Sequence, residues 1–448
     1  MRRFALPHPL TLLTCCVVLA ALLSHVLPAG RYDRRDDPAT GRRVVVAGTF
    51  HAVEPAPLGF MQTLVTIPKG LIDAASVVFF VFLVGGAFSV VDQTGALRQA
   101  VGALARGVGG NELLVIPAVC VLFATAGALE NMQEEIIALV PVLLLLCRRM
   151  RFPPLTAVAM SVGSAAVGAA FSPINPFQVG IAQKLAGLPL VSGGLFRTVF
   201  LLIAVAGWTA GTMRHAARNR EAGPLGDAAA PHEPFDARRI TVIAIVLAGF
   251  ALFVFGVMRL DWDFDQMAGL FLLVGVLAGL TGGLGVTGTA DGFVEGFRSM
   301  AFAAMLIGFA RAVFVALDQG RIIDTIVHAL VTPLAAMPVS VAAIGMIVLH
   351  TIVHVPVPSV SGQAVLTMPV LVPLSDLLGL SRQVTVLAYQ VGAGLCELLT
   401  PTNGALMAIV VAARVRYDEW LRFAVPLYLG LLGVGAAAVL AAIATGLR

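Results

Sequence analysis

Two five-residue stretches, Ser172-Pro173-Ile174-Asn175-Pro176 and Thr400-Pro401-Thr402-Asn403-Gly404, each interrupt a long apolar run. Proline removes a backbone donor and clashes with the preceding turn, so an apolar helix carrying either stretch must open there. Lipid cannot satisfy the carbonyls this exposes, but a substrate or an ion can.

The two breaks belong to a wider internal repeat. Pro141 and Pro369, Pro173 and Pro401, and Asn175 and Asn403 all stand 228 residues apart. Val91-Asp92-Gln93-Thr94-Gly95 is echoed by Leu317-Asp318-Gln319-Gly320 at a spacing of 226, so a small insertion or deletion separates this pair from the others. Broken helices at corresponding places in two halves point to a transporter binding site.

Composition agrees. With 58% hydrophobic and 12% charged residues over 448 positions, and a mean hydropathy of +0.93, the chain has more apolar surface than a soluble domain could bury. The net charge of +4 is carried mostly by arginines in short connecting segments, which suits topology control rather than nucleic-acid binding. All five cysteines lie in or beside apolar spans and read as small buried residues, not as a disulfide framework. Arg2 and Arg3 precede an apolar run from Leu10 to Leu27 with a poor cleavage pattern, which favours a retained first transmembrane helix over a signal peptide.

Full spans are expected near 10–28, 71–91, 195–213, 239–258, 266–283, 299–317 and 420–445, and broken spans over 155–187 and 382–413. The stretches 113–147 and 338–378 each contain paired short arms, around Glu130-Asn131-Met132 and around Pro356 to Gly362, and read as re-entrant hairpins. With the amino terminus inside, Arg98, Arg106, the Arg148-Arg149-Arg151 cluster, the 214–239 region, Arg298 and Arg414-Arg416 face the cytoplasm, and 29–65 lies outside. The organisation is a first transmembrane repeat (1–213), a polar cytoplasmic linker (214–238) and a second repeat (239–448). The expected fold class is an all-α polytopic membrane protein of two inverted repeats, each with a hairpin and a broken helix.

Candidate site residues cluster at the tips and breaks. Glu130, Glu134 and Glu135 lie between apolar arms, where ionisable groups are expensive and usually functional; capping of the second arm is the bland alternative. Asn131 stands beside Glu130 at the tip. The second tip offers Ser359, Ser361 and Gln363 after two prolines, although serine and proline are also ordinary turn residues. Ser172, Asn175, Thr400, Thr402 and Asn403 place side-chain oxygens beside the breaks at Pro173 and Pro401. The half-helix amino ends that follow would favour a carboxylate on the substrate.

Other motifs are weaker. Arg311 and Asp318, seven apart, suggest a structural ion pair. His350 and His354 have the spacing of a zinc-protease pair, but Thr351 stands where such a site needs glutamate. Gly283-Leu284-Gly285-Val286-Thr287-Gly288 matches a dinucleotide fingerprint without a βαβ unit around it, so it reads as a helix end. No nucleophile with its base and no metal triad is visible, so the chain reads as a non-enzyme without cofactor.

Taken together, Pro28-Ala29-Gly30-Arg31-Tyr32, Ala47-Gly48-Thr49-Phe50 with Val53-Glu54, the Glu134-Glu135 pair, and Asn175-Pro176-Phe177 with Val179-Gly180-Ile181-Ala182 resemble the YfcC-like branch of the C4-dicarboxylate anaerobic carrier family. The resemblance covers nearly the whole chain. It implies membership of the ion transporter superfamily, an elevator mechanism, a bacterial plasma-membrane location and, as a superfamily expectation, a homodimer. It maps the site to Glu130-Asn131, Ser172 to Asn175, Ser359 to Ser361 and Thr400 to Asn403. The serine-asparagine-threonine hairpin signature of the better-understood dicarboxylate carriers is missing at both tips, so their substrate does not transfer directly. The leading expectation is secondary active transport of a small carboxylate-bearing metabolite such as a C4-dicarboxylate, coupled to Na+ or H+. Transport or exchange of an amino acid, with a basic one drawn by the hairpin glutamates, is the alternative, and a membrane enzyme or a channel is more distant.

Overall fold

Crossing a hydrocarbon layer of about 30 Å takes about 20 helical residues. In the computed structural model of the chain, eight described helices are long and apolar enough: Pro9–Val26, Ala75–Gln93, Glu112–Leu129, Gly194–Arg218, Phe264–Thr281, Gly285–Gln319, Val360–Leu377 and Tyr417–Ala444. The structure describes residues 7–38, 40–96, 99, 112–130, 133–220, 236–260 and 262–447. The fold is that of a mostly helical, multi-pass membrane protein.

Helical arms flank both expected tips, the first of which (131–132) lies outside the described residues, and both broken helices are present as elements. The first pair of arms is Val115–Glu130 and the stretch from Glu134 to Arg149, which opens as a 3-10 turn over Glu134–Leu139. The second pair is Val339–His354 and Val360–Leu377. The first broken helix runs Pro154–Ala170, opens, and resumes with a π turn over Pro176–Gly180 and a short helix Ile181–Leu185. Its counterpart runs from Arg382 through a π turn over Gln390–Gly394, unwinds from Glu397, and resumes at Gly404–Ala412.

Several boundaries differ from the sequence expectation. The segment 299–317 is the second half of one helix, Gly285–Gln319, whose start absorbs the glycine-rich stretch: Gly283 and Gly285 take φ of +87° and +68°, and the helix follows them. The irregular segment expected to run to 65 ends at Gly59, because Gln62 accepts the Gly59 N–H and starts a helix at Phe60. The Gly194–Arg218 helix runs past 213, and 221–235 lie outside the described residues. An amphipathic helix at Ile323–Val331 had no signature as a membrane span. Arg311 bonds Asp73, at the end of Phe60–Asp73, and lies over the Phe314 ring at 4.6 Å; it does not pair with Asp318 as expected.

The chain is also not purely helical. Strands β1 (Gly30–Arg31) and β4 (His51–Ala52) pair antiparallel, as do β2 (Arg34–Asp37) and β3 (Arg42–Val45), with Arg34 opposite Val45. This ribbon is tied to the second half of the chain. Asp324, almost fully buried, accepts the Tyr32 N–H at 2.9 Å and Arg34 Nη2 at 2.8 Å, and Arg42 Nη1 reaches Ser361 Oγ at 3.1 Å. Burial beside Asp324 pushes the Tyr32 phenol up to about 12, so its hydroxyl stays protonated against His328 Nδ1 at 3.0 Å.

What positions the site is a backbone-to-backbone crossing. A Cβ on Gly127 would sit 2.0 Å from the Ala165 carbonyl oxygen, and one on Gly168 would sit 2.0 Å from that of Ala124. The Val115–Glu130 arm and the first broken helix therefore touch along reciprocal glycine–alanine pairs, as small residues permit in lipid. The two broken helices also meet, since a Cβ on Gly394 would lie 2.7 Å from the Ala170 Cα.

Gly127→Leu should cost about 1–3 kcal/mol or more by overpacking. Gly430→Leu, at an exposed helical site with nothing within 4 Å, makes the same change in composition at no such cost. Thermal unfolding of both variants in detergent checks this: the first should melt well below the parent and the second alongside it.

Candidate functional site

The first break satisfies its own backbone. Ser172 Oγ accepts the N–H groups of Ile174 and Asn175 at 3.0 and 2.9 Å and donates to the Ala128 carbonyl at 2.7 Å. Asn175 Oδ1 caps the following half-helix by accepting from Phe177 and Gln178, and its Nδ2 donates to the Gly127 carbonyl at 2.8 Å. The carbonyl of Ser172 is taken by Gln390 Nε2 at 2.8 Å. Gln390 is itself held by Arg197 Nε at 2.6 Å, and that fully buried arginine also donates to Gln383 Oε1 and the Ser192 carbonyl.

The second break repeats the cap and differs in what surrounds it. Asn403 Oδ1 accepts the Leu406 N–H at 3.0 Å, as Asn175 does for its own half-helix. The carbonyls freed by unwinding are filled by aromatic donors, Trp420 Nε1 on Leu398 at 2.8 Å and the Tyr417 hydroxyl on Leu399. Thr400 and Thr402 bond each other, and Thr402 Oγ1 donates to the Val355 carbonyl at 2.6 Å. Val355 stands 228 residues after Gly127, so in each half the same carbonyl at the hairpin end accepts from that half's break. The carbonyls of Ser172, Leu398 and Leu399 are thus occupied by protein groups, where the sequence had suggested a ligand.

The Asn403 amide carries the chemistry. Its Nδ2 donates to Gln133 Oε1 at 2.9 Å and to the carboxylate of Glu397. The first hairpin is therefore held at Gly127 and Ala128 by the first break and at Gln133 by the second.

A cavity of about 440 Å³ opens here, of the size that small-molecule sites usually have. Its walls include Glu134 and Glu135 from the first hairpin, Ser359 and Ser361 from the second, and Glu397, Thr402 and Asn403 from the second break. Phe177 contributes from beyond the first break, and Asp73, Asp263 and Arg311 lie on the side of the long helices. Arg311 is already paired with Asp73. Ser359 Oγ caps the second arm through the Gly362 N–H at 3.2 Å. Among the described residues, no group of three His, Cys, Asp or Glu side chains could hold a metal ion.

The structure sorts the predicted residues. Glu134, Glu135, Ser359, Ser361, Thr402 and Asn403 face the cavity. Ser172, Asn175 and Thr400, all buried, spend their polar atoms on structure, with Pro173 and Pro401 breaking the helices around them. Glu130 ends its helix, and Asn131 lies outside the described residues. Sequence reading missed Glu397; it named Gln363 at the second tip and the His350–His354 spacing, but not that His354 Nε2 lies 3.2 Å from Glu397 Oε1 or that Gln363 bridges His354 to His350. An acidic residue inside a broken span was the available signal. Gln390 and Arg197 gave none, because their roles depend on a contact between the halves.

A polar cavity closed by helix breaks and hairpin tips, inside a bundle of apolar helices, defines a multi-pass membrane transporter. The chain belongs to the C4-dicarboxylate anaerobic carrier family, whose model matches residues 6–444. It is 31% identical to "Putative basic amino acid antiporter YfcC" of Escherichia coli, over 96% of this chain and 95% of that protein, and 28% identical to an uncharacterised protein of Haemophilus influenzae over 97% and 96%. Among solved structures, the Alcanivorax borkumensis YdaH transporter matches with a TM-score of 0.44 at 20% identity over 98% of this chain and 99% of that one. Neisseria gonorrhoeae MtrF matches with a TM-score of 0.40 at 18% identity over 97% and 94%.

The two asparagines should separate on mutation. Asn175→Asp keeps the cap but turns a carbonyl-facing donor into an acceptor, costing about 1–3 kcal/mol of stability without touching the cavity. Asn403→Asp sets a second carboxylate against Glu397 inside the cavity and should also abolish substrate uptake. Paired measurements of melting temperature and uptake into proteoliposomes test the split.

Proposed function

We propose that the chain is a secondary active transporter of amino acids with a basic side chain, working by exchange. One observation carries this reading: Glu134, Glu135 and Glu397 converge on one cavity, while the cavity's arginine is committed to Asp73. A dicarboxylate would bring two more negative charges to those walls, and like charges in a poorly solvated site repel strongly. A cationic side chain or ammonium group would instead meet the carboxylates, while the hydroxyl hydrogens of Ser359 and Ser361, whose oxygens accept from Gly362 and Arg42, are left for the substrate carboxylate. The name of the Escherichia coli relative agrees with this reading.

The C4-dicarboxylate reading keeps one observation in its favour. Arg34, Arg42 and Arg43 line an adjoining cavity of about 270 Å³ that also reaches Ser359, which offers an anion an approach route. Movement of the hairpins and breaks as one body against the long helices, two inverted repeats and a homodimer belong to the same proposal.

Purified protein in lipid should gain several degrees in melting temperature with arginine, ornithine or lysine and none with C4-dicarboxylates, because a ligand that binds the folded state stabilises it. Glu397→Gln should weaken the basic ligand at least about tenfold, roughly 1.4 kcal/mol. Stabilisation by succinate-like compounds alone, with or without sodium, would return the assignment to dicarboxylate transport.

A further inference from the structure

Gln363 lies between two fully buried histidines. Its Nε2 donates to the His350 carbonyl at 2.8 Å and lies 3.0 Å from His350 Nδ1, and its Oε1 lies 3.0 Å from His354 Nδ1. A backbone carbonyl only accepts, so the amide nitrogen faces His350 and the amide oxygen faces His354. That oxygen also only accepts, which puts a hydrogen on His354 Nδ1. The other ring nitrogen, Nε2, sits 3.2 Å from Glu397 Oε1 without a hydrogen bond to it or to any other described group.

The tautomer is therefore imposed from behind. A neutral His354 with its hydrogen on Nδ1 would aim a bare lone pair at a carboxylate, two acceptors facing each other away from water. One added proton removes the conflict, whether it rests on the imidazole or on the carboxyl, and in both cases it belongs to the pair.

We infer that His354 and Glu397 form a single-proton site that shares the Glu397 carboxylate with the transported cation, so that proton and substrate bind in turn. This rests on the exchange reading above and supplies its coupling step. A proton from cavity water binds between Nε2 and Oε1 and takes the pair from one negative charge to neutral. When the substrate's cationic group reaches Glu397, that proton returns to the cavity water, one positive charge replacing another. The surrounding groups allow this. Glu134 and Glu135 face the same cavity from the first hairpin, and Arg311 across it is held by Asp73. Tyr389 and Cys396 lie near Glu397 on its own helix, His350 lies behind Gln363, and Arg42 stays on Ser361 at the second tip. Asn403 holds the other carboxylate oxygen, tying the pair to the break.

Two readouts test the proposal. The first needs no substrate: an infrared pH titration of purified protein in lipid, from pH 4 to 9, with parent minus Glu397→Gln and parent minus His354→Gln as difference spectra. A carboxyl or imidazole signal that titrates in the parent and is lost in Glu397→Gln and lost or moved in His354→Gln is expected; identical titrations in all three overturn the proton site. The second is transport in proteoliposomes. His354→Gln should lose accumulation driven by a pH gradient at least tenfold more than it loses counterflow of a labelled basic amino acid; equal losses in both, or accumulation at the parent level, overturn the coupling role. If the titration appears and no basic amino acid exchanges in the parent, the proton site stands and the substrate reading falls.

Discussion

Lipid offers no hydrogen bonds, so a helix that opens at membrane depth must find a partner for every group it uncovers. That requirement organises this protein. At the first break a serine and an asparagine close the opening and reach the carbonyls of Ala128 and Gly127. At the second, Trp420 and Tyr417 take the carbonyls of Leu398 and Leu399, and Thr402 takes that of Val355. The carbonyls of Gly127, Ala128 and Val355 belong to hairpin arms, so satisfying the breaks also fixes where the hairpins stand. The glycine–alanine crossing of the first arm makes this feasible, since a larger side chain at Gly127 would push the donors out of reach of its carbonyl.

Both breaks present the same cap and opposite electrostatics. Behind the first lies Arg197, buried with amide and carbonyl oxygens around it and joined through Gln390 to the Ser172 carbonyl. Beside the second lies Glu397, with Glu134 and Glu135 sharing the cavity. A buried charge is tolerated only with hydrogen bonds to carry it, and each of these has them. A fixed positive charge thus lies behind the first break, and carboxylates line the cavity beside the second.

Much of this was legible in the chain. Proline and asparagine at matched spacing located both breaks, because their effect on a helix is local and needs no knowledge of the neighbours. The hairpin arms followed from apolar length, and Glu134 and Glu135 from the expense of charge at that depth. What escaped was set by contacts between distant segments. Arg311 could be paired by spacing with Asp318, but the crossing of Phe60–Asp73 brings Asp73 closer. The ribbon of residues 30–52 is polar and short-stranded, and depends on Asp324, almost three hundred residues away, for its anchor. Ser172, Asn175 and Thr400 were recognised as polar atoms at the breaks, but only their partners show that they hold the scaffold.

The divergence between the two capping asparagines shows how one local device can serve two ends. Each uses its amide oxygen to cap a half-helix, so that atom is constrained in both halves by the same backbone need. The amide nitrogen is free to differ. In the first half it meets a backbone carbonyl, which has no charge to change, and the contact can only hold. In the second it meets a carboxylate that lines the cavity and touches a histidine whose tautomer is set from behind. A change of charge on Glu397 must therefore alter the strength of its bond to Asn403, because a hydrogen bond to an ionised group is about twice as strong as one to a neutral group. Asn403 also caps the half-helix beyond the break and holds Gln133 at the end of the first hairpin. Any ligand that changes the state of Glu397 thus acts on a side chain that links the cavity, a hairpin tip and a helix end.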